Sequence, residues 1–274
     1  NKILMPALFA ILLILLGYGM VAADLPAAFR FMFHFEPAAI SAKVILAAMG
    51  HAFFTLSLGM GAIMTYGSYL GRETPIGRTC LYIGAADTAI ALLAGLSIFA
   101  IVFAQGLEPA AGPGLILQTL PIAFSQMPFG GVIGVLFFLL VVFAAWTSSI
   151  SLIEPPSALL IERFGLRRPV AVGLVCLAAW LIGIAVALSF NDWGHIKLFG
   201  LNIFDLLDTL TTKIMMPTAG LLIALFVGWR MQRAHVEDEI ALSAGSFKLW
   251  FGVLRYLSPV AIVLIFLNVI GVIG

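Results

Sequence analysis

Three clusters of polar residues stand inside long apolar runs, where each is costly and therefore informative. The first is Asp87, in the stretch GAADTAIALLAG. An ionisable side chain in a membrane helix is expensive and usually faces protein or a water-filled cavity. Its carboxylate is a hard oxygen ligand for a cation, or else an acid paired with a polar group on another helix. The second is Ala144-Ala145-Trp146-Thr147-Ser148-Ser149. The Thr147 and Ser148 hydroxyls and the Ala144 carbonyl, one turn back, put neutral oxygens on one helix face, enough to hold a small cation. The plainer reading is hydroxyls bonded back to the preceding turn. The third is Phe54-Thr55-Leu56-Ser57-Leu58-Gly59-Met60-Gly61. Glycine costs roughly 1 kcal/mol against alanine in a helix interior, which makes sense where the helix is broken. Unwound backbone in a bilayer survives only when buried in protein or lining a cavity. Broken helices near the midplane offer their freed amides and carbonyls to charged ligands. Close helix packing through small residues is the alternative, and Gly67 and Gly71 suit it.

The elements that carry these clusters follow from composition. The chain has 274 residues, 62% hydrophobic and only 10% charged, with a mean hydropathy of +1.15. Soluble domains carry about 25% charged residues. The chain is an all-α polytopic membrane protein with the lipid bilayer as its surroundings. A net charge of +1 and the lack of a basic stripe with interleaved aromatics give no sign of a nucleic-acid partner. Cys80 and Cys176 fall in separate apolar runs and read as small packing residues. Spans of about 20 apolar residues are expected at 3–23, 44–70 (the broken one), 79–104, 132–153, 170–190, 203–229 and 251–273. Between 24 and 43 lies an amphipathic connector holding Phe29, Phe31, Phe33 and Phe35. The Gly- and Pro-rich segment 105–131 reads as a hairpin dipping back into the protein rather than a crossing.

Lys and Arg collect on one side of these spans. With the amino-terminal end in the cytoplasm, ten of the 14 fall on the cytoplasmic side, among them Lys2, Arg72, Arg163, Arg168, Arg230 and Arg255. Arg30, Lys43, Lys197 and Lys213 fall outside. The positive-inside rule then puts the amino-terminal end inside and the carboxyl terminus outside.

The wording of three stretches resembles one family. FFTLSLGMGAIMTYGSYL resembles the sixth helix of the neurotransmitter:sodium symporter family, in its bacterial amino-acid transporter branch with the LeuT fold. FAAWTSSISLIEP resembles the eighth helix, and NKILMPALF the start of the fifth. The resemblance implies helices five to eleven, with helix six discontinuous and a hairpin on the extracellular side. Helices one to four would be supplied by a longer chain or a separate one. It implies an amino-acid symporter in the cell's inner (plasma) membrane, using two Na+ sites. Thr55 and Asp87 would contribute to one sodium site; Ala144, Thr147 and Ser148 would form the other. Phe54, Thr55, Ser57, Met60, Ser148 and Leu152 would line the substrate pocket. Phe54, Met60 and Leu152 would enclose an apolar side chain, larger aliphatic or aromatic, since methionine adapts to bulky partners. Asp208 matches an outer-gate acid, and Glu162 with Tyr69 an inner-gate network.

In the resembled family many relatives carry asparagine where Asp87 stands and need chloride or another acid nearby; an aspartate could supply that charge itself, so chloride is not expected to be required. His51 departs from the glutamine of chloride-dependent relatives and reads best as a packed core histidine. Asp205 and Asp208 could also cap a helix start. No HExxH, CxxC, Walker or dinucleotide motif occurs, so no enzyme is expected. The alternatives are a channel-forming subunit, which would need rings of ligands from several copies, and an inactive half-transporter or scaffold.

Overall fold

A computed structural model of the chain describes residues 3–22, 24–71, 73–109, 114–269 and 271–272. Lys2, Arg72, Ala23 and the stretch 110–113 of the expected hairpin lie outside the described residues. The described residues are helical, with no strand among them beyond an isolated bridge between Leu198 and Leu201.

In chain order the helices are α1 (Leu4–Ala22), α2 (Leu25–Phe33), α3 (Ala42–Thr55), α4 (Ala62–Ser68) and α5 (Ile76–Ala104). Next come α6 (Leu120–Ser125), α7 (Gly130–Phe164), α8 (Arg168–Ser189) and α9 (Ile203–Asp208). The last four are α10 (Met216–Leu225), α11 (Arg233–Ile240), α12 (Ala244–Gly252) and α13 (Ser258–Val269). Wider π-turns join α9 to α10 (Thr209–Met215) and α12 to α13 (Val253–Leu257), and another ends α10 (Phe226–Arg230). Among the described residues, six helical stretches are long and apolar enough to cross a membrane: Leu4–Val21, Ile76–Ala104, Gly130–Phe164, Arg168–Ser189, Ile203–Arg230 and Ala244–Asn268. The remaining expected span is the broken one, α3 and α4.

The chain forms two compact units: Asn1–Pro37 with Ala85–Ile150, and Ala38–Gly84 with Ser151–Gly274. In the first, Asp24 caps α2, its Oδ1 accepting from the Ala27 amide at 3.0 Å. Phe31 then lies edge-on against Phe99 and Phe103 of α5. The described part of the hairpin turns inward, with Leu120 and Ala123 fully buried among Leu15, Ile101, Val102, Ile133 and Phe137. The Tyr18 hydroxyl ties α1 to the hairpin's return, donating to the Pro128 carbonyl at 2.6 Å.

In the second unit α3, α10 and α13 pack together. Lipid tails are as apolar as leucine, so membrane helices associate through close fit rather than escape from water. Gly220 on α10 supplies that fit, since any Cβ there would collide with the Phe53 ring of α3. Helix α7 runs past the end expected at 153 and carries Pro155 and Pro156 in its interior. Prolines in a membrane helix are tolerated when neighbours and hydroxyls re-satisfy the freed backbone. Cys80 and Cys176 are exposed free thiols rather than packing residues. They lie on helix faces that nothing in the described chain covers.

Candidate functional site

Helix α3 stops at Thr55 because the next residues fold its end back on itself. The Leu58 amide donates to the Phe53 carbonyl at 3.0 Å and the Ser57 amide to the Phe54 carbonyl at 2.9 Å. Ser57 sits between them in the left-handed region, at φ 53°. This is a Schellman ending, in which the left-handed residue is usually glycine. Here a serine takes the position. Gly59 and Gly61 follow with φ of 82° and 83°. Gly59 approaches the Met216 backbone at the start of α10 so closely that a side chain would strike its carbonyl oxygen. Gly61 then opens α4 without a side-chain cap. The glycines serve chain reversal and close approach together, and both act at the break.

The residues expected to line a pocket cluster around this interruption. Thr55, Ser57 and Met60 are half-buried, and Phe54 is 49% exposed. Phe54 and Asp208 line one cleft of about 330 Å³, with Gly50, Thr212, Lys213 and Pro217 on its walls. The structure thus brings a candidate substrate residue and a candidate gate acid together. Asp208 does not cap α9. Asn202 does, its side chain accepting from the Asp205 amide at 2.8 Å. The Asp208 carbonyl accepts from the hydroxyls of Thr212 and Thr211 at 2.6 and 3.2 Å. His51 is exposed on α3 rather than packed in a core.

Two turns of hydroxyls join α4 to α7. The Tyr66 hydroxyl donates to Ser151 Oγ at 3.1 Å, and the Tyr69 hydroxyl to Glu154 Oε1 at 2.9 Å. Each pair of residues is three apart on its own helix, so one face of each helix is engaged. Glu154 also pairs with Arg168 at the start of α8, at 2.7 Å. Glu162, expected beside Tyr69, is exposed and makes no hydrogen bond or ion pair among the described residues. It lies eight residues beyond Glu154 on α7, about 12 Å along the axis. Glu154 stands just outside the expected span, before two prolines, and no role was expected of it. Its signal was an acid within reach of an otherwise apolar helix. Leu152, beside Ser151, is 49% exposed.

In the first unit, Thr147 Oγ1 on α7 donates towards two carbonyls, those of Phe143 and Ala144, each at 3.0 Å. The back-bonding and cation readings are compatible here. A hydroxyl oxygen and a carbonyl oxygen lie side by side on one face of the helix. These donors fit a small hard cation. Ser148 is exposed on the next position of the helix, and Asp87 is half-buried on α5.

The comparisons with known proteins agree with one another. Residues 2–273 match the model of the sodium:neurotransmitter symporter family. The chain is 35% identical over 280 residues to the uncharacterised sodium-dependent transporter YhdH of Bacillus subtilis, covering 100% of this chain and 62% of that protein. A sodium-dependent transporter of Haemophilus influenzae is 34% identical over 272 residues, covering 97% of this chain and 59% of its own length. The crystal structure of MhsT in complex with L-phenylalanine superposes with a TM-score of 0.88 at 38% identity, over 98% of this chain and 62% of MhsT. The chain therefore spans about three fifths of the length of these relatives. Its fold is the LeuT type. The chain belongs to the sodium:neurotransmitter symporter family.

Proposed function

We propose that this chain forms the part of a sodium-coupled amino-acid symporter from helix five to helix eleven, in the plasma membrane. Helices one to four, from the same longer chain or another, complete the pocket. The observation that carries this reading is the interruption at Leu56–Gly61, where α3 ends in a left-handed serine and two positive-φ glycines. Freed backbone there meets the amino acid's charged groups, as at other broken helices. Phe54, Met60 and Leu152 enclose its side chain, with Thr55, Ser57 and Ser148 beside them. A bulky hydrophobic amino acid suits this lining, and MhsT, similar over nearly the whole chain, was solved with L-phenylalanine.

Two sodium ions accompany the substrate. Thr55 and Asp87 serve one; Ala144, Thr147 and Ser148 serve the other, consistent with the adjacent oxygens on α7. Asp87 supplies the negative charge, so chloride is not required. Asp208 closes the outer side. Tyr69 and Glu162 belong to the inner closure by resemblance, and the bond from Tyr69 favours Glu154 as its acid. The orientation places the amino-terminal end of this segment inside and the carboxyl terminus outside. The test is uptake of radiolabelled amino acids into proteoliposomes holding the full-length protein. Saturable, sodium-dependent uptake of phenylalanine or leucine is expected. A linear, unsaturable current would instead favour a channel, and no transport at all a scaffold.

A further inference from the structure

Among the described residues, Arg255 has no acid to neutralise it. It stands in the π-turn Val253–Leu257, whose widened backbone leaves its carbonyl to accept from Trp229 Nε1 at 3.1 Å. The guanidinium lies over the Trp229 ring at 4.7 Å and over the Tyr256 ring at 5.6 Å. Gly228 lets the two helices come this close, since a Cβ there would sit 3.1 Å from the Arg255 Cα. Yet Arg255 Nε is sealed from solvent without a hydrogen-bond partner. Neither Arg255 nor Arg230 forms an ion pair among the described residues, so no described carboxylate lies within 4.0 Å of either.

We propose that Arg255 and Arg230 bind the phosphate of an anionic glycerophospholipid at this end of the membrane-length stretch Ile203–Arg230. Guanidinium is the group suited to phosphate oxygens, which it meets with two parallel hydrogen bonds. Trp229 is 57% exposed and Tyr256 60%. Such rings settle at headgroup level, apolar body inward and polar edge outward. A soluble anion would gain nothing from these two rings, whereas a lipid gains its anchor from them. Basic pockets between membrane helices hold anionic headgroups in this way. The site is separate from the break in α3–α4 and does not depend on the transport reading.

The test uses the full-length protein in nanodiscs of phosphatidylcholine, with and without phosphatidylglycerol, read by native mass spectrometry of retained lipid and by melting temperature. The wild type is expected to retain phosphatidylglycerol in preference and to melt higher with it. Arg255→Gln and Arg230→Gln are each expected to lose about fivefold of that preference, and Lys197→Gln to lose none. Arg230 is exposed at its helix end, so that variant folds even where Arg255→Gln does not. Equal retention of both lipids by the wild type would overturn the proposal, as would an undiminished preference in both arginine variants. So would inorganic phosphate in pure phosphatidylcholine discs raising the melting temperature as much as the lipid does, which would mark a soluble-anion site.

Discussion

The Tyr69 hydroxyl donates to Glu154 Oε1 at 2.9 Å, joining the end of the second half of the broken helix to the last third of α7. Glu154 is mostly buried, its side chain 13% exposed, while its other partner Arg168 is 63% exposed. Tyr69, at 59%, is about as exposed as Arg168, so both bonds to this carboxylate are partly screened, and of the two only the bond from Tyr69 reaches the end of α4.

Removing that hydroxyl should loosen α4. A hydrogen bond of this kind contributes about 1 kcal/mol net, close to a fivefold change in an opening equilibrium. Tyr69→Phe is expected to raise hydrogen–deuterium exchange across residues 62–69 by about that factor, with Arg168→Gln changing it less. Exchange that rises more in Arg168→Gln would show that the ion pair is the main restraint.

Much of this arrangement could be read from the chain, and the limits have physical causes. The break was legible because two glycines in an apolar span have a cost that needs a reason, and Gly59 and Gly61 are where the backbone turns positive. The hydroxyl run at Thr147 was legible because its partners are one turn away. Glu154 was not, since its contact with Tyr69 crosses 85 residues of sequence. The prolines after it hid the fact that the helix continues. Asn202 was passed over as a cap for the acids beside it, although an amide oxygen serves as well as a carboxylate. Nothing local to Gly59 foretells that the obstacle to a side chain is the Met216 carbonyl.

Ser57 separates stability from binding. A non-glycine residue in the left-handed region costs roughly 1–2 kcal/mol. Ser57→Gly should therefore stabilise the protein by about 1 kcal/mol, seen as a higher melting temperature. If the serine also lines the substrate pocket, the same variant binds the amino acid more weakly. Greater stability with unchanged affinity would remove Ser57 from the pocket.

The sodium ligands can be examined without substrate. Asp87→Ala and Thr147→Ala in the full-length protein are each expected to weaken sodium binding at least about tenfold, the loss of roughly 1.4 kcal/mol, read by sodium titration of intrinsic tryptophan fluorescence. Uptake by the unaltered protein should persist when gluconate replaces chloride. Unchanged sodium affinity in both variants would mean that the ion sites lie elsewhere.

Gly59 and Gly61 share the same backbone conformation but not the same surroundings, and that difference can be measured. At Gly61 a Cβ would meet Pro155 Cβ at 3.5 Å, an ordinary contact, so Gly61→Ala bears only the left-handed penalty of about 1–2 kcal/mol. At Gly59 the added carbon would also overlap the Met216 carbonyl oxygen, which is backbone and cannot swing aside. Gly59→Ala must therefore push α10 away from the break or unfold the turn. Its cost should exceed that of Gly61→Ala by at least about 2 kcal/mol, seen as a lower folded yield and a lower melting temperature. Comparing folded yield and melting temperature of the two variants isolates the steric part, because the backbone strain is common to both. Equal losses would show that α10 yields at Met216 and that the close approach does not fix the position of the break.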